Sequence, residues 1–188
     1  IAKNTLFMYI RLMLVLCINL FTVRIVLQAL GEVDYGLNNV VGGVVSMFSF
    51  ISTTLAGASM RFFSFEIGKK DQEGLKKYFA VTFWCYVFLC LIIVILAETI
   101  GLWFVANKLV IPADRMTAAM WVYQFSILGS VLSFLTIPFN SLILAHEKMD
   151  FYAYLGIAEV VLKLMVAYIL FVSDGDRLIL YAILMFLS

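Results

Sequence analysis

Four basic side chains, Arg11, Arg24, Arg61 and Lys163, lie inside stretches of this chain that are otherwise apolar enough to live in a lipid bilayer. A cation held at the bilayer centre costs about 3 kcal/mol even on lenient insertion scales, so each needs a counter-charge, a watery cavity or a path to the interface. The chemistry that several such groups share is the holding of an anion through charge-assisted hydrogen bonds. Glu159, the one carboxylate at comparable depth, stands four residues before Lys163, in the order that favours pairing along a helix.

Spacing separates these groups by face. Arg24 and Gln28 are four apart and share a side of their helix, with Cys17 one heptad earlier. Arg11 points elsewhere and lies about 9 Å from the start of its span, within snorkelling reach of the headgroups. Arg61 is four residues from the end of the second apolar run, where an interfacial and a cavity position are both open to it. Thr54 and Gly57 share its face and leave room beside the charge. On the same run Gly42, Ser46, Ser49, Thr53 and Gly57 recur every three or four residues, a small-residue stripe suited to close approach of another helix. Lys163, twelve residues past Phe151, is about 18 Å into its helix, near the bilayer middle. Two readings stay open there: a self-contained pair with Glu159, or a cavity-facing pair that binds substrate or relays a proton or other coupling cation.

Catalytic constellations are missing from the sequence. No Ser-His-Asp, Cys-His, paired-carboxylate or metal-ligand spacing occurs, and Gly42-Gly43 lacks the strand and lysine of a phosphate loop. His146, the single histidine, belongs to the turn 145–148 and has a surface role. Cys17, Cys85 and Cys90 read as small buried hydrophobes. No cofactor, no metal and no enzymatic activity are expected.

The elements that position the cations follow from composition. The chain of 188 residues is 64% apolar and 13% charged, outside the range of soluble domains, with a net charge of +1 that gives no reason to expect nucleic acid. Its class is all-α: a polytopic membrane helix bundle. Apolar runs predict spans over 5–30, 37–65, 78–105, 116–144 and 151–172, and the start of a sixth over 178–188. That last run is too short to cross, so the chain reads as a piece of a longer protein. Pro138 predicts a kink in the fourth span, with Thr136 and Asn140 placed to satisfy the freed carbonyl. Loops 31–36 and 173–176 are acidic, whereas Lys3, Lys69, Lys70, Lys76, Lys77 and Lys148 gather on the other side. The positive-inside rule then puts the N-terminus in the cytoplasm.

Three stretches carry a resemblance: Arg24-Ile25-Val26-Leu27-Gln28-Ala29-Leu30-Gly31 running into Asp34-Tyr35-Gly36-Leu37, Arg61-Phe62-Phe63-Ser64-Phe65-Glu66-Ile67-Gly68-Lys69, and Ile137-Pro138-Phe139-Asn140 through His146-Glu147-Lys148-Met149. In order and spacing they resemble bacterial polysaccharide flippases, the Wzx-like O-antigen and capsule exporters of the multidrug/oligosaccharidyl-lipid/polysaccharide (MATE-like) superfamily. The resemblance implies the six-helix N-terminal lobe of a V-shaped transporter in the bacterial inner membrane. The substrate it implies is an oligosaccharide on a polyprenyl pyrophosphate, gripped by basic cavity residues. Arg24 and Arg61 fall where related flippases place cavity arginines. Gln28 stands where many members carry a basic residue, so that turn offers an amide. Lys163 rests on depth alone. The rival readings are an ion-coupled drug antiporter of the same superfamily, which favours acidic cavities, and a membrane enzyme acting on polyprenyl-linked sugars, which calls for a large loop.

Overall fold

The computed structural model describes residues 2–47, 49–109, 111–112, 115–172 and 176–187. Every regular element among them is helical, as the bilayer requires of a chain whose backbone groups find no water. In order these are α1 (Ala2–Ser46), α2 (Ser49–Lys69), α3 (Gln72–Leu96), a π-helical turn (Ala97–Gly101), α4 (Leu102–Asn107), α5 (Met116–Ala145), α6 (Met149–Val172) and α7 (Arg177–Leu187). Four helical stretches are long and apolar enough to cross a membrane: Tyr9–Ser46, Gln72–Asn107, Met116–Ala145 and Met149–Val172.

Within α1 the chain reverses at Gly31, whose φ of 80° and ψ of 171° belong to a region open essentially only to glycine. The reversal follows from the neighbours of each arm. Residues 2–30 run beside α6 in the same sense, since Arg11 lies over Tyr152 and the Ala29 carbonyl accepts from Arg177 just beyond the end of α6. Residues 32–46 run the opposite way, beside α5 and in the same sense as it, from Asp34 at Arg115 to Ser46 near Ser130 and Ser133. Apart from Gly31 itself, the acidic loop expected over 31–36 is helix. Of the second acidic loop, residues 173–175 lie outside the described residues.

The second expected span, 37–65, is divided. Its first part is the descending arm of α1, ending at Ser46, and its second is α2, starting at Ser49. Both keep company with α5: Ser141 Oγ reaches the Ala56 carbonyl at 3.4 Å, and Phe63 packs with Ala145. At two positions of the small-residue stripe the packing is loose, since a methyl group built on Gly42 or Gly57 would meet nothing within 4 Å. Cys17 and Cys85 also depart from expectation. They face away from the protein, and only Cys90 is buried.

Two turns close one end of the bundle with the same device. Lys70 (φ 59°) ends α2 with its N–H on the Ile67 carbonyl and that of Asp71 on the Glu66 carbonyl; Glu147 (φ 56°) ends α5 with the equivalent pair to Leu144 and Ile143. These are Schellman caps, built here without glycine. Asp71 then caps α3 through Oδ1, 2.9 Å from the Gly74 N–H. Lys69, Lys70, Lys76, Lys77 and Lys148 sit at this end, and Asp34, Arg115, Asp176 and Arg177 at the opposite one.

α5 is the central column, touching α1, α2, α3, α6 and α7. Pro138 is buried within it without ending the helix, and Thr136 donates to the Ser133 carbonyl at 2.7 Å. Facing α5, the π turn places Ala97 so that the buried Tyr123 hydroxyl donates to its carbonyl at 2.7 Å. Gly101 makes this possible, because a methyl group there would overlap the Tyr123 hydroxyl.

Two expectations for stability follow. Gly31→Ala should cost about 1–3 kcal/mol through backbone strain alone, since a methyl group there meets no neighbour, and a lowered Tm in detergent reads it. Gly101→Ala should destabilise by about 1–3 kcal/mol through overpacking. Tyr123→Phe, which removes the overlapping oxygen along with one hydrogen bond, should relieve part of that loss, so that the double variant melts above the temperature additivity gives.

Candidate functional site

The five residues singled out for binding occupy different depths. Arg24 and Gln28 are exposed on α1, on the side away from the buried Val26, Ala29 and Leu30 that meet the core. Arg24 is six residues below Leu30, about 9 Å inside the end marked by Arg177 and Asp34. Arg61 is exposed on α2, two residues before Phe63 and therefore near the lysine-bearing end. Lys163 lies between them on α6, with Nζ 2.6 Å from Glu159 Oε1, and this ion pair is a third to a half exposed. No hydrogen bond or ion pair among the described residues joins Arg24, Arg61 and Lys163 to one another.

Charges do converge at the opposite end, in a cluster the sequence reading missed. Arg115, at the start of α5, reaches Asp34 at 3.4 Å and Asp176 at 3.6 Å. Beside it Arg177 Nη1 donates to the Ala29 carbonyl at 2.9 Å, one of the carbonyls left without a helical partner by the turn at Gly31. Asp34 is buried, so this cluster ties the reversal of α1 to the starts of α5 and α7. The only sequence signal was acidic and basic residues in separate loops, which does not reveal pairing.

Two adjoining hollows lie between the descending arm of α1, α5 and α7. One, of about 430 Å³, is lined by Gly42, Ser46, Ser126, Ser130, Ser133 and their apolar neighbours; the other, of about 200 Å³, shares Gly42 and Ser126 and adds Asn38 and Tyr181. Among the described residues neither lining includes a charged side chain. Ser130 Oγ donates to the Ile127 carbonyl at 2.7 Å and Ser46 Oγ to the Gly43 carbonyl at 2.8 Å. With their hydrogens turned to their own helices, these hydroxyls present lone pairs to the space. Ser126, Ser130 and Ser133, spaced by four and three, were the overlooked signal. On the other side of the same arm runs an apolar groove of about 740 Å³ between Val40, Val44 and Met47 and Leu96, Ile100 and Phe104.

This geometry defines an α-helical membrane protein with an apolar core and hollows bordered by serine hydroxyls. No protein-family profile, curated protein or solved structure matches the chain.

The charged cluster generates its own test. Arg115→Gln removes a cation 3.4 Å from the buried Asp34 carboxylate and should cost about 1–2 kcal/mol, discounted for the partial exposure of Arg115. Asp176→Asn, at the exposed side of the same arginine, should change stability by less than about 0.5 kcal/mol. Thermal melts of the two variants, with helix content followed by circular dichroism, check the order.

Proposed function

We propose that the chain is the N-terminal lobe of a flippase of the MATE-like superfamily, one that carries polyprenyl-pyrophosphate-linked oligosaccharides across the bacterial inner membrane by alternating access. The observation that carries the reading is the series of cations at successive depths: Arg61 near the lysine-bearing end, Lys163 in the middle, and Arg24 near the other end, none buried in the core. A pyrophosphate headgroup cannot enter hydrocarbon unaided, and such a ladder replaces its hydration with charge-assisted hydrogen bonds while the prenyl tail remains in lipid. No covalent step is required. The lysine-rich end faces the cytoplasm in this reading, in keeping with the positive-inside rule.

Lys163 and Glu159 supply the coupling. A carboxylate 2.6 Å from the ammonium holds that cation back from the substrate. Protonation of Glu159, or capture of Na+ by it, frees Lys163 for phosphate, so cation binding and substrate binding favour one another. Gln28, on the Arg24 face, adds an uncharged donor.

The test neutralises Arg24, Arg61 and Lys163 to glutamine in the intact transporter, singly and together, at matched protein levels, and follows delivery of lipid-linked sugar to the outer face. Each single change should lower transport about tenfold, the equivalent of one charge-assisted hydrogen bond. Undiminished delivery by the triple variant refutes the proposal.

A further inference from the structure

The structure lays Arg11 against Tyr152 and Gly156 of α6, apart from the residues of the proposed transport path. Its guanidinium carbon lies 4.4 Å from the centroid of the Tyr152 ring on α6. Nε rests against Gly156, where a methyl group would overlap it, so the missing side chain forms the notch that admits the arginine. Among the described residues the buried Nε has no hydrogen-bond partner, and no carboxylate pairs with this cation. Asp150 is two residues before Tyr152, about 200° around α6.

Depth identifies what could meet it. Arg11 is nineteen residues before Leu30 and Tyr152 is twenty before Val172, so both lie about 30 Å below the opposite end of the bundle, one hydrocarbon thickness. The guanidinium therefore stands at headgroup level, where an interfacial tyrosine belongs. Lys148, four residues before Tyr152 and exposed, continues the same side of α6 outward from the membrane. A basic notch between two transmembrane helices at the lysine-rich end is the kind of place that holds an anionic phospholipid.

We infer that Arg11, framed by Tyr152 and Gly156, is a binding site for the phosphate of an anionic phospholipid such as phosphatidylglycerol in the bilayer leaflet at the lysine-rich end. The phosphate meets the open edge of the guanidinium, while the ring and the glycine notch fix its plane. This site is independent of the proposed transport activity. It assigns Arg11 to the lipid that surrounds the protein.

The experiment is native mass spectrometry of the purified protein with phosphatidylglycerol and phosphatidylcholine of identical acyl chains in competition. The wild type should retain phosphatidylglycerol about tenfold over phosphatidylcholine, and Arg11→Gln should bring the ratio to near one. Gly156→Ala, which keeps the charge but fills its seat, should also lower the ratio, and it decides the matter if Arg11→Gln fails to fold by circular dichroism. Lys69→Gln/Lys70→Gln, which thins the loop charge, should leave the ratio unchanged. A folded Arg11→Gln or Gly156→Ala protein with wild-type preference, no preference in the wild type, or loss confined to the loop variant would each overturn the site.

Discussion

Hydrocarbon offers a backbone amide nothing to bond with, and this single deficit shapes each irregular point of the structure. Where the chain leaves regular helix, a side chain from elsewhere or the helix's own last turn bonds to the backbone. At the reversal in α1 the Arg177 side chain serves the Ala29 carbonyl. In the π turn the Ala97 carbonyl takes two donors, the Leu102 N–H and the Tyr123 hydroxyl. At the lysine-bearing end, two Schellman caps close α2 and α5 on their own carbonyls. The bundle is thus held by burial of a core that runs through α1, α5, α6 and α7, and its shape is set by where polar backbone can be satisfied.

The long apolar helices were legible in the sequence because a run of apolar residues has few alternatives in lipid. Residues 116–145 and 149–172 carry that signal without interruption. The division of the second crossing was not legible. Residues 37–65 read as one apolar run with small residues at helical spacing, and of those that suggested tight packing Gly42 and Ser46 instead border open space. Small residues permit close approach without enforcing it, so their pattern alone could not distinguish a packed seam from a hollow. The glycine of the reversal was visible as part of a loop, but the positive φ that lets helix resume at once on its far side was not.

For the candidate site the balance differs. Depth along each helix placed the cations, and the Glu159–Lys163 pair follows from spacing of four residues. Convergence is a property of helix arrangement, which periodicity within one helix does not encode. The cluster of Arg115, Asp34 and Asp176 joins three segments far apart in sequence, and the seat of Arg11 depends on a glycine 145 residues away from it. Such pairings emerge only when α1 is laid beside α6 and α5.

The π turn has a further effect on the helix that contains it. Buried positions along residues 72–107 fall at Leu75, Tyr86, Cys90, Ile93, Ala97, Gly101 and Val105, so the final intervals are each four residues. In a straight α-helix the two steps of four from Ala97 to Val105 would swing the inward line by about 80°. The widened turn absorbs that rotation. An angular misfit written into the residue spacing is cancelled by one locally underwound loop of backbone, and Val105 stays in phase with the residues two turns below it.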